Sequence, residues 1–308
     1  MEYQLKLNRM LDKLTQGFRG EVLKDEPLKA HTYFKIGGPA SLFAVPEDTE
    51  DLKTVLKLIK KYGIEHFIIG NGTNLLVSDD GFRGIIVKIG EKFNKLERDG
   101  NKVKAGAGIL LSALAKYFAK EGLAGFEFAS GIPGYLGGAV PINAGAYGGE
   151  MKDVVTKVKC MDMDGKIHEF SNEEMEFSYR HTKLSDSEYI VLEAEFDLIP
   201  GRVEDIMEKI KELNEKRTSK QPLNLPSAGS TFKRPSNGYA SKLIEDAGLK
   251  GLQYRGAMVS DKHSGFIVSY DNACCEDVLE LMRIVISTVY DKFGIKLEPE
   301  IKIVGTKL

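Results

Sequence analysis

The chain has no tryptophan, and its 308 residues include only three cysteines, Cys160, Cys274 and Cys275. An odd count with an adjacent pair argues against a disulfide framework and fits a reducing compartment. No apolar run approaches the length of a bilayer span. The N-terminus, MEYQLKLNRMLDKLTQGF, lacks the apolar middle of a signal peptide. Neither sign of charge is in excess, since 43 Lys and Arg against 45 Asp and Glu leave a net charge of −2. Binding to duplex nucleic acid usually needs a basic face, so that class is disfavoured. These absences point to a cytoplasmic globular protein, with no nucleic acid, membrane or obligatory protein partner indicated.

The common nucleotide signatures are also missing. Gly70 and Gly72, like Gly106 and Gly108, lack the third glycine of a GxGxxG turn, so no dinucleotide fingerprint is present. There is no GxxxxGK[ST] phosphate loop. No CxxC occurs, and the histidines His31, His66, His168, His181 and His263 are scattered without metal-ligand spacing.

What is present is glycine in unusual company. Gly125 to Glu150 reads GFEFASGIPGYLGGAVPINAGAYGGE, with eight glycines and two prolines among its 26 residues. It has no helical or strand period, yet it is too apolar for a flexible linker. Glycines let a backbone pack closely, and a buried irregular backbone must place its N–H and C=O groups somewhere. A ligand that takes those bonds is the economical explanation. A second glycine loop, Gly70-Asn71-Gly72-Thr73-Asn74, stands between two apolar strands. Turns that donate N–H groups bind anions, so two such loops suit a long diphosphate cofactor. The competing reading, that both are only tight turns, is as good for the short loop alone and poorer for the long one.

The remaining chain reads as alternating helices and strands. An amphipathic helix covers residues 1 to about 20, with Leu5, Leu7, Met10, Leu11 and Leu14 on one side. Strands are expected in HTYFKI, before a turn at Gly37–Gly38, and at Ser41–Val45. A helix capped by Asp48 or Thr49 ends at Gly63. GAGILLSALAKYFAKEG reads as a helix, as do 201–217 and 240–247. The strongest helical period is Glu276–Phe293. A final strand spans Ile295–Val304. The composition shift at KQPLNLPSAGSTFKRP places a boundary near residue 200.

Five motifs then occur in order: GNGTNLLVSDDG, SGIPGYLGGAVPINAGAYGGE, FSYR, AGSTFKRP and LEPEIKIVG. Together they resemble the UDP-N-acetylenolpyruvoylglucosamine reductase family of peptidoglycan synthesis, in its shorter form, from about Thr32 to the C-terminus. The resemblance implies an α+β protein: a two-lobed FAD-binding fold of the vanillyl-alcohol oxidase type plus a C-terminal α+β substrate domain. The implied parts are residues 1–92 (N-terminal helix and first FAD lobe), 93–200 (second FAD lobe) and 201–308 (substrate domain, its last strand returning towards the FAD lobes). It implies non-covalent FAD, because GNGTNLL carries no histidine, with NADPH as co-substrate and a UDP-sugar as substrate. Gly70, Asn71, Gly72, Thr73, Asn74 and Leu75 then lie along the cofactor. Ser130, Gly131, Ile132, Gly134, Gly137, Gly138, Asn143, Gly145 and Ala146 embrace the rest of it. Tyr135 stands where a small residue is common in the family, so its ring must fit beside the flavin or point away.

The chemistry implied is hydride addition to a vinyl ether, which puts charge on the carbon next to a carboxylate. That charge needs donors on the carboxylate and a proton for the carbon. Ser230 in AGSTF is the candidate general acid, Arg180 in SYRH the bidentate carboxylate clamp, and Glu300 in LEPEIK the group that polarises the carboxylate or steers the proton. Tyr147, Lys220, Lys233, Arg234, Lys250 and His263 are candidates for the UDP portion. Taken singly, each residue is as readily a solvated charge, a turn serine or a strand residue. The alternatives are another FAD-dependent oxidoreductase of the same fold and a non-catalytic flavin-binding protein.

Overall fold

A computed structural model describes residues 2–236 and 238–308. Met1, within the expected N-terminal helix, and Asn237 lie outside the described residues. The chain opens with helix α1 (Glu2–Leu14), which buries Leu7, Met10 and Leu14. Strands β1 (Glu21–Pro27) and β2 (Pro39–Val45) follow, then α2 (Thr49–Tyr62). The Asp48 side chain accepts from the backbone of Glu50 and Asp51, and Gly63 closes α2 in the left-handed conformation. This is the local capping its sequence dictates. Strands β3 (His66–Ile69), β4 (Leu75–Val77) and β5 (Phe82–Lys88) come next. One sheet has the order β1-β2-β5-β3, with β3 parallel to β5.

Strands β6 (Leu96–Asp99) and β7 (Lys102–Gly106) precede α3 (Leu111–Lys120), and a short helix, α4 (Leu136–Ala139), lies inside the glycine-rich stretch. The stretch ends in a two-strand hairpin of β8 (Gly145–Ala146) and β9 (Gly149–Glu150). Strands β10 (Val155–Met161), β11 (Ile167–Ser171) and β12 (Ile190–Asp197) complete an antiparallel sheet of order β11-β10-β12-β7-β6. Helix α5 (Val203–Lys220), helix α6 (Ala240–Asp246), strands β13 (Ala257–Val259) and β14 (Ile267–Ser269), helix α7 (Cys275–Phe293) and strand β15 (Lys302–Val304) finish the chain.

By contacts the chain falls into two units. The first holds Met1–Lys24, Leu42–Asn71 and Gly84–Arg217; the second holds Asp25–Ser41, Gly72–Arg83 and Thr218–Leu308. The core of the first contains an aromatic cluster. Phe126 meets Phe118 at 5.2 Å and Phe196 at 5.5 Å between ring centroids, so the apolar start of the glycine-rich stretch is anchored in that core. Ile206 and Ile210 of α5 join it, and the boundary expected near residue 200 therefore falls inside the first unit. The core of the second is built on α7, whose Val278, Leu279, Met282, Val285 and Val289 are all buried. There β15 runs parallel to β4, pairing Lys302 with Leu75 and Val304 with Val77. The last strand thus returns to the segment after the short glycine loop.

Four local expectations change. The first helix ends at Leu14 rather than near residue 20, and the final strand is Lys302–Val304 rather than Ile295–Val304. Thr32–Ile36 forms no strand. Phe34 and Ile36 are both buried, Lys35 between them takes φ +59°, and the Thr32 hydroxyl donates to Ile36 O at 2.9 Å, folding the segment into a turn. Helix α3 starts at Leu111 rather than at Gly106. Gly108 packs so closely on the Gly90 carbonyl that a Cβ would not fit there, and this holds the preceding segment out of the helix.

Candidate active site

The glycine-rich stretch meets many of its own backbone bonds within the protein. Leu136 N–H donates to Ile109 O at 2.9 Å, Gly137 N–H to Ala107 O at 2.8 Å and Ala144 N–H to Ala139 O at 2.9 Å. The expectation that a ligand takes these bonds is corrected for this part of the stretch: α4 is laid against Ala107–Ile109, which accepts the first two, and the third closes within the stretch on Ala139. Several glycines are needed for the same reason. A Cβ on Gly137 would stand 2.8 Å from Ala107 Cβ, and one on Gly145 would stand 2.6 Å from Gly149 O. Gly138 and Gly148 are different, because nothing lies within 4 Å of a Cβ at either position. The stretch is therefore packed on one side and has room at these two positions, as a cofactor bed requires.

Asn71 ties the short loop to this stretch, its Nδ2 donating to Pro133 O at 2.6 Å. A Cβ on Gly70 would come within 3.5 Å of the Tyr135 ring, and Tyr135 is buried. The Tyr135 ring thus lies against the Gly70 backbone. In the second unit Gly72 has φ +64°, and its carbonyl accepts from Tyr33 N–H at 3.0 Å. Leu75 is buried in β4. Asn74 Nδ2 donates to Glu300 O at 3.2 Å, and Asn74 O accepts from Lys302 N–H at 2.9 Å. Asn143, fully buried at φ +43°, donates from Nδ2 to Glu150 Oε2 and Ser178 O and accepts Lys152 N–H on Oδ1. Its side chain holds the end of the stretch in place. Ser130 Oγ is 3.4 Å from Asn214 Oδ1, Ile132 N–H donates to Ala129 O, and Gly134 O accepts from Leu111 N–H. Ala146 pairs with Gly149 in the hairpin, and the following Tyr147 is 46% exposed at φ +54°.

Arg180 sits at φ +55° in a tight turn where Ser178 and His181 exchange backbone bonds. Its Nη2 donates to Gly145 O at 3.4 Å, and its guanidinium lies 5.3 Å from the Tyr179 ring centroid. The turn thus brings Arg180 to the hairpin that carries Tyr147. Ser230 follows Gly229, which has φ +79°. The Ser230 side chain is half-buried and makes no hydrogen bond among the described residues. Its neighbour Thr231 is 1% exposed and bonds three ways. Its N–H donates to Gly265 O at 2.9 Å, its carbonyl accepts Glu300 N–H at 2.8 Å, and its Oγ1 accepts Ile267 N–H at 3.0 Å. Ser230 and Glu300 are brought together through Thr231, and Asn74 reaches Glu300 from the other side.

The candidate UDP residues have varied company within the second unit. Lys233 pairs with Glu298 at 3.5 Å and Lys250 with Glu245 at 3.1 Å. Arg234 stacks on Tyr239 at 4.4 Å. His263 Nδ1 accepts Gly265 N–H at 3.1 Å, and burial holds the ring's pKa below its usual value. The neutral ring then carries its proton on Nε2 as a donor. Lys220 and Lys250 act on it electrostatically and lower its pKa further.

Burial pushes the Cys160 and Cys275 thiols up to about 12, which removes them as nucleophiles near neutral pH. Among the described residues no group of three or more His, Cys, Asp or Glu side chains could hold a metal, and no helix is long and apolar enough to cross a membrane. Arg217 and Asn214 of α5, absent from the sequence-level candidates, pack against Gly131. A signal for Arg217 was available: the residues three and four away are Leu213, Asn214, Lys220 and Gln221, none acidic.

Residues 40–171 match the FAD binding domain family, and residues 221–304 match the family of UDP-N-acetylenolpyruvoylglucosamine reductase C-terminal domains. The UDP-N-acetylenolpyruvoylglucosamine reductase of Clostridioides difficile (strain 630) is 50% identical, covering 92% of this chain and 94% of its own. That of Caldanaerobacter subterraneus subsp. tengcongensis is 52% identical, covering 97% and 99%. The crystal structure of the corresponding reductase from Thermus caldophilus matches with a TM-score of 0.79 at 35% identity, covering 94% of this chain and 100% of that one.

Proposed function

The chain belongs to the UDP-N-acetylenolpyruvoylglucosamine reductase family, and from that premise we propose which of its residues carry the reaction. The activity is the NADPH-dependent reduction of the enolpyruvyl group of UDP-N-acetylglucosamine enolpyruvate to UDP-N-acetylmuramate, in peptidoglycan precursor synthesis, with FAD as cofactor. FAD, when bound, supplies the hydride chemistry between NADPH and the vinyl carbon. Residues 1–92 and 93–217 hold the flavin, and 218–308 hold the substrate, with β15 paired to β4 just after the short glycine loop. Gly70–Leu75 and the stretch from Ser130 to Ala146 form the bed. Gly138 offers room to the ligand, while Asn71 and Asn143 keep the loops in shape.

Ser230 protonates the carbon next to the carboxylate. A serine hydroxyl is a weak acid, so this role needs a fixed position. The observation that carries it is the Thr231 link: among the described residues Ser230 Oγ has no bond of its own, while the adjacent residue is tied on three sides and joins it to Glu300. Arg180 clamps the carboxylate with its guanidinium fork, and Glu300 polarises it. Tyr147, Lys220, Lys233, Arg234 and Lys250 contact the UDP portion, with His263 as a neutral donor.

The Ser230→Ala variant tests this. Stopped-flow absorbance should show flavin reduction by NADPH nearly unchanged, and reoxidation by the enolpyruvyl nucleotide slowed by about a hundredfold or more. Equal slowing of both half-reactions would remove the proton-donor role.

A further inference from the structure

The turn that carries Arg180 is fastened to the glycine-rich stretch on both of its sides. On the N-terminal side Asn143 Nδ2 donates to Ser178 O at 3.0 Å. On the C-terminal side Thr182, 0% exposed, donates from Oγ1 to Pro141 O at 2.7 Å. Ser185 Oγ donates to the same carbonyl at 2.7 Å. Both hydroxyls also accept. Thr182 Oγ1 takes Leu184 N–H at 3.1 Å, and Ser185 Oγ takes Thr182 N–H at 2.9 Å. Each hydroxyl thus donates one bond and accepts one, and the Pro141 carbonyl has both lone pairs engaged. A satisfied network of this kind is rigid. The two anchor points, Pro141 and Asn143, are two residues apart on the stretch, and each reaches a residue two positions from Arg180.

The backbone held between them is strained. Arg180 takes φ +55°, a left-handed conformation unfavourable to any residue with a Cβ, and Asn143 on the facing stretch takes φ +43°. Such strain persists only where the surroundings impose it, and it gathers at functional sites. Ser178 and His181 exchange backbone bonds at 2.9 and 3.3 Å, but that pair only closes the turn on itself. The bonds to Pro141 and Asn143 set where the turn stands. Relaxation of Arg180 to negative φ would turn its side chain away from Gly145 O, to which Nη2 donates at 3.4 Å. A guanidinium fork grips a carboxylate in one planar geometry, and a misplacement of about 1 Å can cost a hundredfold in rate.

We propose that Thr182 is a positioning residue for Arg180: through the Pro141 carbonyl it holds the guanidinium in register with the glycine-rich stretch. This rests on the reading of Arg180 as the carboxylate clamp. Fully buried, Thr182 acts only through Arg180. The test is stopped-flow flavin absorbance of the FAD-loaded enzyme in both half-reactions, for Thr182→Val, Thr182→Ser, Arg180→Lys and the double variant of Thr182→Val with Arg180→Lys. Thr182→Val keeps the shape and removes the clasp. Reoxidation by the enolpyruvyl nucleotide should slow by about tenfold to a hundredfold, with reduction by NADPH unchanged. Thr182→Ser should recover most of the rate. In the Arg180→Lys background, Thr182→Val should slow reoxidation no further, as expected of residues that act as one unit. Equal slowing of both half-reactions, wild-type reoxidation in Thr182→Val, absence of recovery in Thr182→Ser, or full additivity in the double variant would each overturn the proposal and leave Thr182 a purely structural residue. Wild-type reoxidation in Arg180→Lys is the separate outcome that removes the clamp reading, and the proposal with it. If Thr182→Val does not fold, Ser185→Ala decides. It withdraws one of the two donors to Pro141 O, so reoxidation alone should slow, and unchanged reoxidation would overturn the proposal.

Discussion

The Gly125–Glu150 stretch of the first unit and the Ala228–Phe232 segment of the second both carry proposed site residues, and they hold their shapes by opposite means. The first is irregular and holds its shape by removing side chains, so that Gly137 can lie on Ala107 and Gly145 on Gly149. The second holds its shape by adding one. The Thr231 hydroxyl and backbone fasten it to Gly265, Ile267 and Glu300. In the first, an added methyl group should be the damaging change. In the second, a lost oxygen should be.

Three substitutions can break or sharpen this contrast. The largest effect is expected for Gly137→Ala. Its Cβ would meet Ala107 Cβ at 2.8 Å and the Ala107 backbone oxygen at 3.2 Å, neither of which can swing aside. Overpacking of this kind should cost about 3 kcal/mol, read as a lower midpoint in urea unfolding. A wild-type midpoint would show that the stretch yields. Next is Thr231→Val, which keeps the shape and removes the acceptor of the buried Ile267 N–H. A loss of about 1–2 kcal/mol is expected, with slower flavin reoxidation by substrate and normal reduction by NADPH. Thr231→Ser should restore the half-reaction, and if it does not, the hydroxyl is not the fastener. The smallest stability change belongs to Gly138→Ala. Nothing lies within 4 Å of the new Cβ, so the fold should gain at most about 1 kcal/mol. FAD affinity should nevertheless fall if Gly138 borders the cofactor as proposed, because the new methyl fills the open space there. Unaltered FAD titration would place the cofactor away from Gly138.

Much of this was legible along the chain where the forces are local. The apolar stripe of α7 and the Asp48 and Gly63 caps of α2 follow from spacing and capping alone. Thr32–Ile36 was not legible as a turn, because its alternation of buried Phe34 and Ile36 is also what a strand would show, and only tertiary packing sets Lys35 to positive φ. The glycine-rich stretch announced a close approach but not its partner, and for Gly137 that partner is Ala107 of the protein itself. The trio of Arg180, Ser230 and Glu300 came from ordered motifs. Thr231, between the motif residues, gave no sign in the sequence, because its value lies in three bonds to distant segments. The missing acidic neighbours of Arg217 were readable, and its seat on Gly131 was not.

The parallel pairing of β15 with β4 has a consequence for how the molecule is made. The second unit is assembled from Asp25–Ser41, Gly72–Arg83 and Thr218–Leu308. Its buried Leu76 shares a core with Leu297 and Ile301 near the very end of the chain. During synthesis the two early segments have no completed unit to join until residues 302–304 have been translated. Pairings this distant in sequence form slowly, since loop closure must come before the contacts that reward it. Residues 75–77, an apolar Leu-Leu-Val run just after a proposed cofactor loop, stay unpaired throughout that wait. A nascent or truncated chain ending before Lys302 therefore carries an exposed strand, the kind of segment that chaperones hold and that aggregates recruit.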